Sequence, residues 1–271
     1  MPFHDRQGLG VYYEEYGQGP AVVLLHHGFA SSEMWRGLLP SLVQAGHRVL
    51  MYDRRGYGRS QEGPGFREFY FSDGFRPAMV EELHELTQAL GMDRLHLVGQ
   101  CEGGVVALDY AARFPGRVKS LVVASTLCHS PKAIPECNRE KFPLAFHELD
   151  EKVRRKMIAW QGQDQAERRF ELFRYQGGAY GTGVFDLRPL LPSVPQRALI
   201  IYPDRSALFE VEQAVAFYRG LPNAELAVIP ACGHNTYEQK PREYLGLVLD
   251  FLGRREHGEA SAKHCIATCA G

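Results

Sequence analysis

The run Leu95-His96-Leu97-Val98-Gly99-Gln100-Cys101-Glu102-Gly103-Gly104-Val105-Val106-Ala107-Leu108 joins an apolar stretch of strand length to a helix-forming stretch. The turn between them has the pattern G-x-C-x-G. Small residues on both sides of the centre permit a sharp, strained passage from strand to helix, and the apex side chain then projects at the helix N-terminus. That side chain is Cys101. Free backbone N–H groups and the positive end of the helix dipole favour a thiolate there, the nucleophilic form of cysteine. The same five residues also fit an inert thiol buried in a tight turn, and the turn alone does not choose between the two.

Two further groups lie where apolar strands end. His26-His27-Gly28-Phe29 follows Ala21 to Leu25, and Ala231-Cys232-Gly233-His234 follows Ala224 to Ile229. The glycine-dense Gly177 to Gly183 follows no strand, so it reads as a hinge and not as a phosphate cradle. None of the 11 histidines shows a ligand spacing with a second histidine or carboxylate on one helix face, so no metal site is expected. His264, Cys265 and Cys269 read as part of a frayed terminus. No nucleotide or other cofactor is expected either.

These groups need a scaffold that brings strand ends together. Short β-rich apolar runs alternate with longer helix-period segments, the pattern of an α/β protein with a mostly parallel sheet. A hairpin is expected around the Gln7-Gly8 turn, with strands at 21–26, 47–52, 95–98, 118–124, 197–202 and 224–229. Helices are expected at 33–45, 77–90, 103–114, 211–219 and 241–252, and Gly63 to Asp73 reads as loop. From Cys128 to Pro192 the rhythm breaks: no strand is evident, and three short helices rich in aromatics are expected. The organisation read from this is a core in two parts, 1–127 and 193–253, a helical lid at 128–192 and a tail at 254–271.

Composition removes several function classes. The 31 Lys and Arg against 32 Asp and Glu leave a net charge of −1, which argues against a nucleic-acid or anionic-membrane partner. No apolar run approaches the roughly 20 residues of a membrane helix. Six widely spread cysteines and a start without a basic-then-apolar shape lead to the expectation of a cytoplasmic protein.

Taken together, the His27-Gly28-Phe29 turn, Asp53-Arg54-Arg55-Gly56-Tyr57-Gly58-Arg59-Ser60, the turn from Gly99 to Gly103, and Gly233-His234 with Glu238 and Pro241 have a specific order and spacing. In these the chain resembles the α/β-hydrolase superfamily from about residue 3 to 253. The resemblance implies Cys101 as nucleophile, His234 as base, and the backbone N–H groups of Phe29 and Glu102 as oxyanion hole. Asp53 and Arg54 would brace the loops above the sheet, and His26 and His27 would be structural. The activity implied is cofactor-independent hydrolysis of a small carboxylic ester, lactone or thioester through an acyl-thioester.

Two departures from the family pattern matter. The apex is cysteine where the family usually has serine; dienelactone hydrolases and polyhydroxyalkanoate synthases of this fold share that feature. The triad acid is also displaced. Laid without a gap on the family pattern, Tyr202-Pro203-Asp204-Arg205-Ser206 puts Ser206 at the acid position and Asp204 two residues early. Three outcomes stay open: Asp204 reaches His234, a Cys101–His234 dyad is oriented by Ser206 or water, or hydrolysis is lost and the pocket binds a ligand or serves acyl transfer. The Glu102 carboxylate either faces the pocket beside the thiol or is solvated.

Overall fold

The computed structural model describes residues 3–175 and 177–254. The expected tail therefore lies, beyond Arg254, outside the described residues, as do His264, Cys265 and Cys269. β1 (Phe3–Arg6) and β2 (Leu9–Tyr16) form the hairpin, turned by Gln7 and Gly8 at φ 55° and 82°. β3 (Ala21–Leu25) leads through a 3₁₀ turn at Ser32–Trp35 to α1 (Leu39–Gln44) and β4 (Arg48–Tyr52). The one helix expected over 33–45 is thus two pieces. Pro40 lies in the first turn of α1 and has no N–H with which to continue a helix arriving from Trp35.

α2 (Phe66–Tyr70) and α3 (Phe75–Ala89) precede β5 (Leu95–Gln100), which passes straight into α4 (Glu102–Arg113). α2 occupies the segment read as loop. Phe66 and Tyr70, one turn apart, bury their rings against Phe75 at centroid distances of 6.3 and 4.7 Å, contacts that no local pattern reveals.

β6 (Val118–Ala124) is followed by β7 (His129–Ala133), α5 (Ile134–Lys141), α6 (Glu151–Gln161), α7 (Ala166–Tyr175) and β8 (Val184–Asp186). The three helices fall where expected, but β7 and β8 form a ribbon where no strand was. It pairs only at His129–Asp186 and Ala133–Val184, with an irregularity between, and holds Pro131. A ribbon this short shows no alternation for a sequence reading to find. β9 (Arg197–Pro203), α8 (Glu212–Gly220), β10 (Ala224–Ile229), α9 (Thr236–Gln239) and α10 (Pro241–Gly253) complete the described chain.

The strand order is β1-β2-β4-β3-β5-β6-β9-β10, antiparallel at β1–β2 and β2–β4 and parallel elsewhere. Successive strand residues point to opposite faces. Val23, Leu25, Leu97 and Val123 accordingly pack with α3, α4 and α8, while Val22, Leu24, Val98 and Val122 pack with α1 and α10. Burial on both faces explains why these strands read as unbroken apolar runs. The order reverses at β3, which lies between β4 and β5. The carboxyl ends of parallel strands around such a reversal form a crevice, and the ends of β3, β5, β9 and β10 carry His26 to Phe29, Cys101, Ser206 and His234. No helix among the described residues is long and apolar enough to cross a membrane.

Candidate active site

Cys101 sits at φ 53°, ψ −116°, a conformation rare for any residue with a side chain. Such strain costs on the order of 1–3 kcal/mol and persists only where surroundings enforce it. Here the Cys101 N–H donates to the Ala124 carbonyl at 2.8 Å, and its carbonyl accepts from Gly104 N–H at 2.9 Å and Thr126 Oγ1 at 3.0 Å. Gly103 is required by close approach: a Cβ there would run into the carbonyl of Leu25. The turn is therefore locked between β3, β5 and β6.

Its sulfur is buried and opens on a cavity of about 280 Å³, lined also by His27, Phe29, Tyr180 and His234 and by side chains of α5, α6 and α7. The Tyr180 hydroxyl lies 3.5 Å from Sγ. Burial pushes the thiol up to about 11; the Tyr180 hydroxyl and the Glu102 backbone N–H pull it down, and the Glu102 carboxylate raises it. The thiolate expected from the helix N-terminus is thus outweighed by desolvation, and the resting group is a neutral thiol. Inactivation by iodoacetamide should accordingly keep accelerating from pH 7 to pH 10. A rate that is flat between pH 5 and 7, the mark of a preformed ion pair, would contradict this environment.

Glu102 is neither solvated nor turned to the pocket. Its carboxylate lies beneath the turn, paired with Arg54 at 2.7 Å with both side chains fully buried. It also accepts from Ala179 N–H at 2.5 Å. Tyr57 stands 3.4 Å away, its ring under the Arg54 guanidinium. The carboxylate thereby fastens the glycine-rich segment carrying Tyr180 to the turn that holds Cys101. Tyr180 escaped the sequence reading because its neighbours are a glycine run with no strand before it; only long-range packing brings it to Cys101.

Asp53, also buried, accepts from Ser32 N–H at 2.7 Å and Arg59 N–H at 2.9 Å, bracing the loops after β3 and β4. His26 accepts from Arg54 N–H at Nε2 (3.2 Å), which leaves Nδ1 to donate to the His27 carbonyl at 2.8 Å. His27 Nδ1 in turn accepts the Phe29 N–H at 3.2 Å. Of the two amides assigned to an oxyanion hole, that of Phe29 is therefore engaged by an imidazole, while that of Glu102 faces the sulfur.

His234 is held by its backbone: its carbonyl accepts from Gln100 Nε2 at 3.0 Å, tying the loop after β10 to the end of β5. Burial, then the Lys141 charge, pushes its imidazole down to about 4, so it is neutral in ordinary buffers. Asp204 turns away from it. Asp204 Oδ1 accepts from Cys232 N–H at 3.0 Å, stapling the loops after β9 and β10. Ser206 Oγ instead stands 3.4 Å from His234 Nδ1. That oxygen also accepts from Leu208 N–H at 3.2 Å and Phe209 N–H at 3.1 Å. A hydroxyl has two lone pairs and one proton. With both lone pairs engaged, Ser206 offers Nδ1 a donor, and the tautomer with the proton on Nε2 is favoured.

A mostly parallel sheet with a strained strand-to-helix turn after its fifth strand and a histidine beyond its last is the arrangement of an α/β-hydrolase fold. The model of the alpha/beta hydrolase fold family matches residues 20–173, and the chain belongs to that family. It is 23% identical to a 2-hydroxy-6-oxo-6-phenylhexa-2,4-dienoate hydrolase of Comamonas testosteroni, over 93% of this chain and 94% of the relative. A proline iminopeptidase of Clostridioides difficile (strain 630) is 36% identical, over 47% of this chain and 42% of its own length. Among solved structures, an enol-lactonase from Burkholderia xenovorans superimposes with a TM-score of 0.75 at 18% identity, covering 93% of this chain and 100% of that one. An α/β hydrolase enzyme from a Medee basin deep-sea metagenome library gives a TM-score of 0.79 at 22% identity, with 95% and 99% covered. At these identities the structural likeness is one of fold.

Proposed function

We propose that the chain is a cofactor-independent hydrolase of a small carboxylic ester, lactone or thioester, acting through Cys101 and His234. The observation that carries this reading is a cysteine held at φ 53° with its sulfur opening on the same cavity as a half-buried, neutral histidine. A relative named as a dienoate hydrolase supports hydrolysis as the class of reaction. The first step needs the His234 tautomer with its proton moved from Nε2 to Nδ1; the Cys101 sulfur then bonds to the acyl carbon and its proton passes to the freed Nε2. The carbonyl π pair moves onto oxygen, facing the Glu102 amide and, once His27 yields it, the Phe29 amide. Tyr180 donates to the sulfur as negative charge grows there. Collapse expels the leaving oxygen or sulfur, which takes the proton from His234. Water then attacks the thioester, giving its proton to His234, and the thiol is released as the acid departs.

The lid role of 128–192 belongs to the same proposal: α5, α6 and α7 wall the cavity and would choose the acyl group. A second reading, a ligand-binding protein on an altered hydrolase scaffold, is favoured by three features of the site. These are the high thiol pKa, the Nε2–H tautomer of His234 and the engaged Phe29 amide.

Intact mass after brief mixing with p-nitrophenyl acetate separates the two. An acetyl adduct of 42 Da, roughly, is expected on the wild type, absent in Cys101→Ala and formed slowly in His234→Ala. An adduct that persists in Cys101→Ala would remove the assigned nucleophile. No adduct on any protein, with no turnover, would favour the binding reading.

A further inference from the structure

Lys141 closes α5, and its side chain lines the cavity that Cys101 and His234 share. Its ammonium stands 4.6 Å over the Phe209 ring, and the His234 imidazole meets that ring edge-on at 5.2 Å. The rest of the surrounding wall is mainly apolar, with Phe29, Ile134, Phe142 and Phe173 among its residues. Lys156, the other lysine on the wall, is taken: it pairs with Glu238 and covers Trp160. Among the described residues no carboxylate forms an ion pair with Lys141. Burial pushes its pKa below the usual lysine value, so the cation is held at a disadvantage that a bound anion would relieve. Cys137 and Asn138, one turn back on α5, face the same cavity, so the lysine is presented by a helix face and not by a loose surface chain.

We propose that Lys141, with the face of Phe209, forms a carboxylate-binding subsite, and that the substrate is an acid-ester: a small ester, lactone or thioester bearing a carboxylate a few carbons from the acyl centre. The proposal rests on the hydrolase reading for its reactive end. The position of the subsite follows from Phe209, whose ring touches both the ammonium and His234. A carboxylate on Lys141 therefore leaves the other end of a short chain beside the catalytic pair. An apolar acyl group of the same size would fill the cavity and leave the cation unmatched.

The test uses binding as well as turnover. Monomethyl succinate, glutarate and adipate, with their dimethyl esters as neutral controls, are titrated into Cys101→Ala protein while the fluorescence of Trp160 in the cavity wall is followed. At least one monoester is expected to bind about 10- to 100-fold more tightly than its diester. The preference should vanish in Cys101→Ala/Lys141→Met and remain in Cys101→Ala/Lys141→Arg. Thermal melts identify any variant that fails to fold, and the arginine variant then carries the comparison. Equal binding of monoesters and diesters, no binding of any monoester up to tens of millimolar, or a preference that survives Lys141→Met would each overturn the subsite. The same ester pairs given to the wild type separate the two proposals. Lys141-dependent binding without turnover leaves the subsite standing and removes the hydrolase reading. Turnover of both esters alike, unchanged by Lys141→Met, keeps the hydrolase and removes the subsite.

Discussion

Cys101→Ser is expected to lose turnover as fully as Cys101→Ala, even though serine is the usual nucleophile of this fold. A serine hydroxyl is far harder to deprotonate than a thiol, so it depends on a histidine whose imidazolium is stabilised by a carboxylate. Loss of that carboxylate from a serine triad lowers turnover by about 10⁴. Here Ser206 occupies the position next to His234 Nδ1, Asp204 is committed to Cys232 N–H, and Ser206 favours the tautomer that leaves Nε2 protonated. The decisive protein is therefore the double variant. In Cys101→Ser/Ser206→Asp the new carboxylate can keep the Leu208 and Phe209 N–H bonds and accept from Nδ1–H. Ester turnover should recover by about 10²–10³ over Cys101→Ser alone. Steady-state kinetics on a p-nitrophenyl ester reads all four proteins. If Cys101→Ser is as fast as the wild type, the site has a carboxylate equivalent that Ser206 does not supply. If the double variant stays inert, the tautomer argument fails.

The second large effect is on stability. Arg54 and Glu102 form an ion pair with both side chains at 0% exposure. Removing one partner of such a pair leaves the other charge without solvent or counter-ion, at a cost of about 3–5 kcal/mol. Arg54→Met should therefore lower the melting temperature by roughly 6–20 °C for a chain of this size. Arg54→Met/Glu102→Leu, which removes both charges, should regain part of that loss. A double variant less stable than Arg54→Met would mean that the bond from Ala179 N–H to Glu102 matters more than the uncompensated charge. Removal of Glu102 also frees the segment that carries Tyr180, so in Arg54→Met/Glu102→Leu the contact of Tyr180 with Cys101 should weaken.

Much of the scaffold was legible because the central strands are buried on both faces and each long helix carries its apolar residues at helical spacing. The elbow was legible because Gly99 answers to local sterics, a Cβ there running into the backbone of Gly103 and Gly104, and a strained strand-to-helix turn admits few sequences. The break in the helix at Pro40 was legible in principle, since the missing N–H is a local fact. α2 and the β7–β8 ribbon were not, since Phe66 and Tyr70 acquire a reason to be helical only when Phe75 is packed on them.

The order of motifs along the chain determined the class of fold, the apex position of Cys101 and the placement of Ser206 where a triad acid would stand. Those are consequences of local geometry and spacing. Tertiary structure alone decided the charge state and partners of the site. It set burial of the thiol against the helix N-terminus and turned Asp204 towards Cys232. It also carried Glu102 under the elbow to meet Arg54, 48 positions earlier, and brought Tyr180 and Lys141 to the cavity that Cys101 and His234 line, far from both in sequence. Desolvation and charge pairing depend on what lies within a few ångströms in space, and a linear pattern records only what lies nearby along the chain.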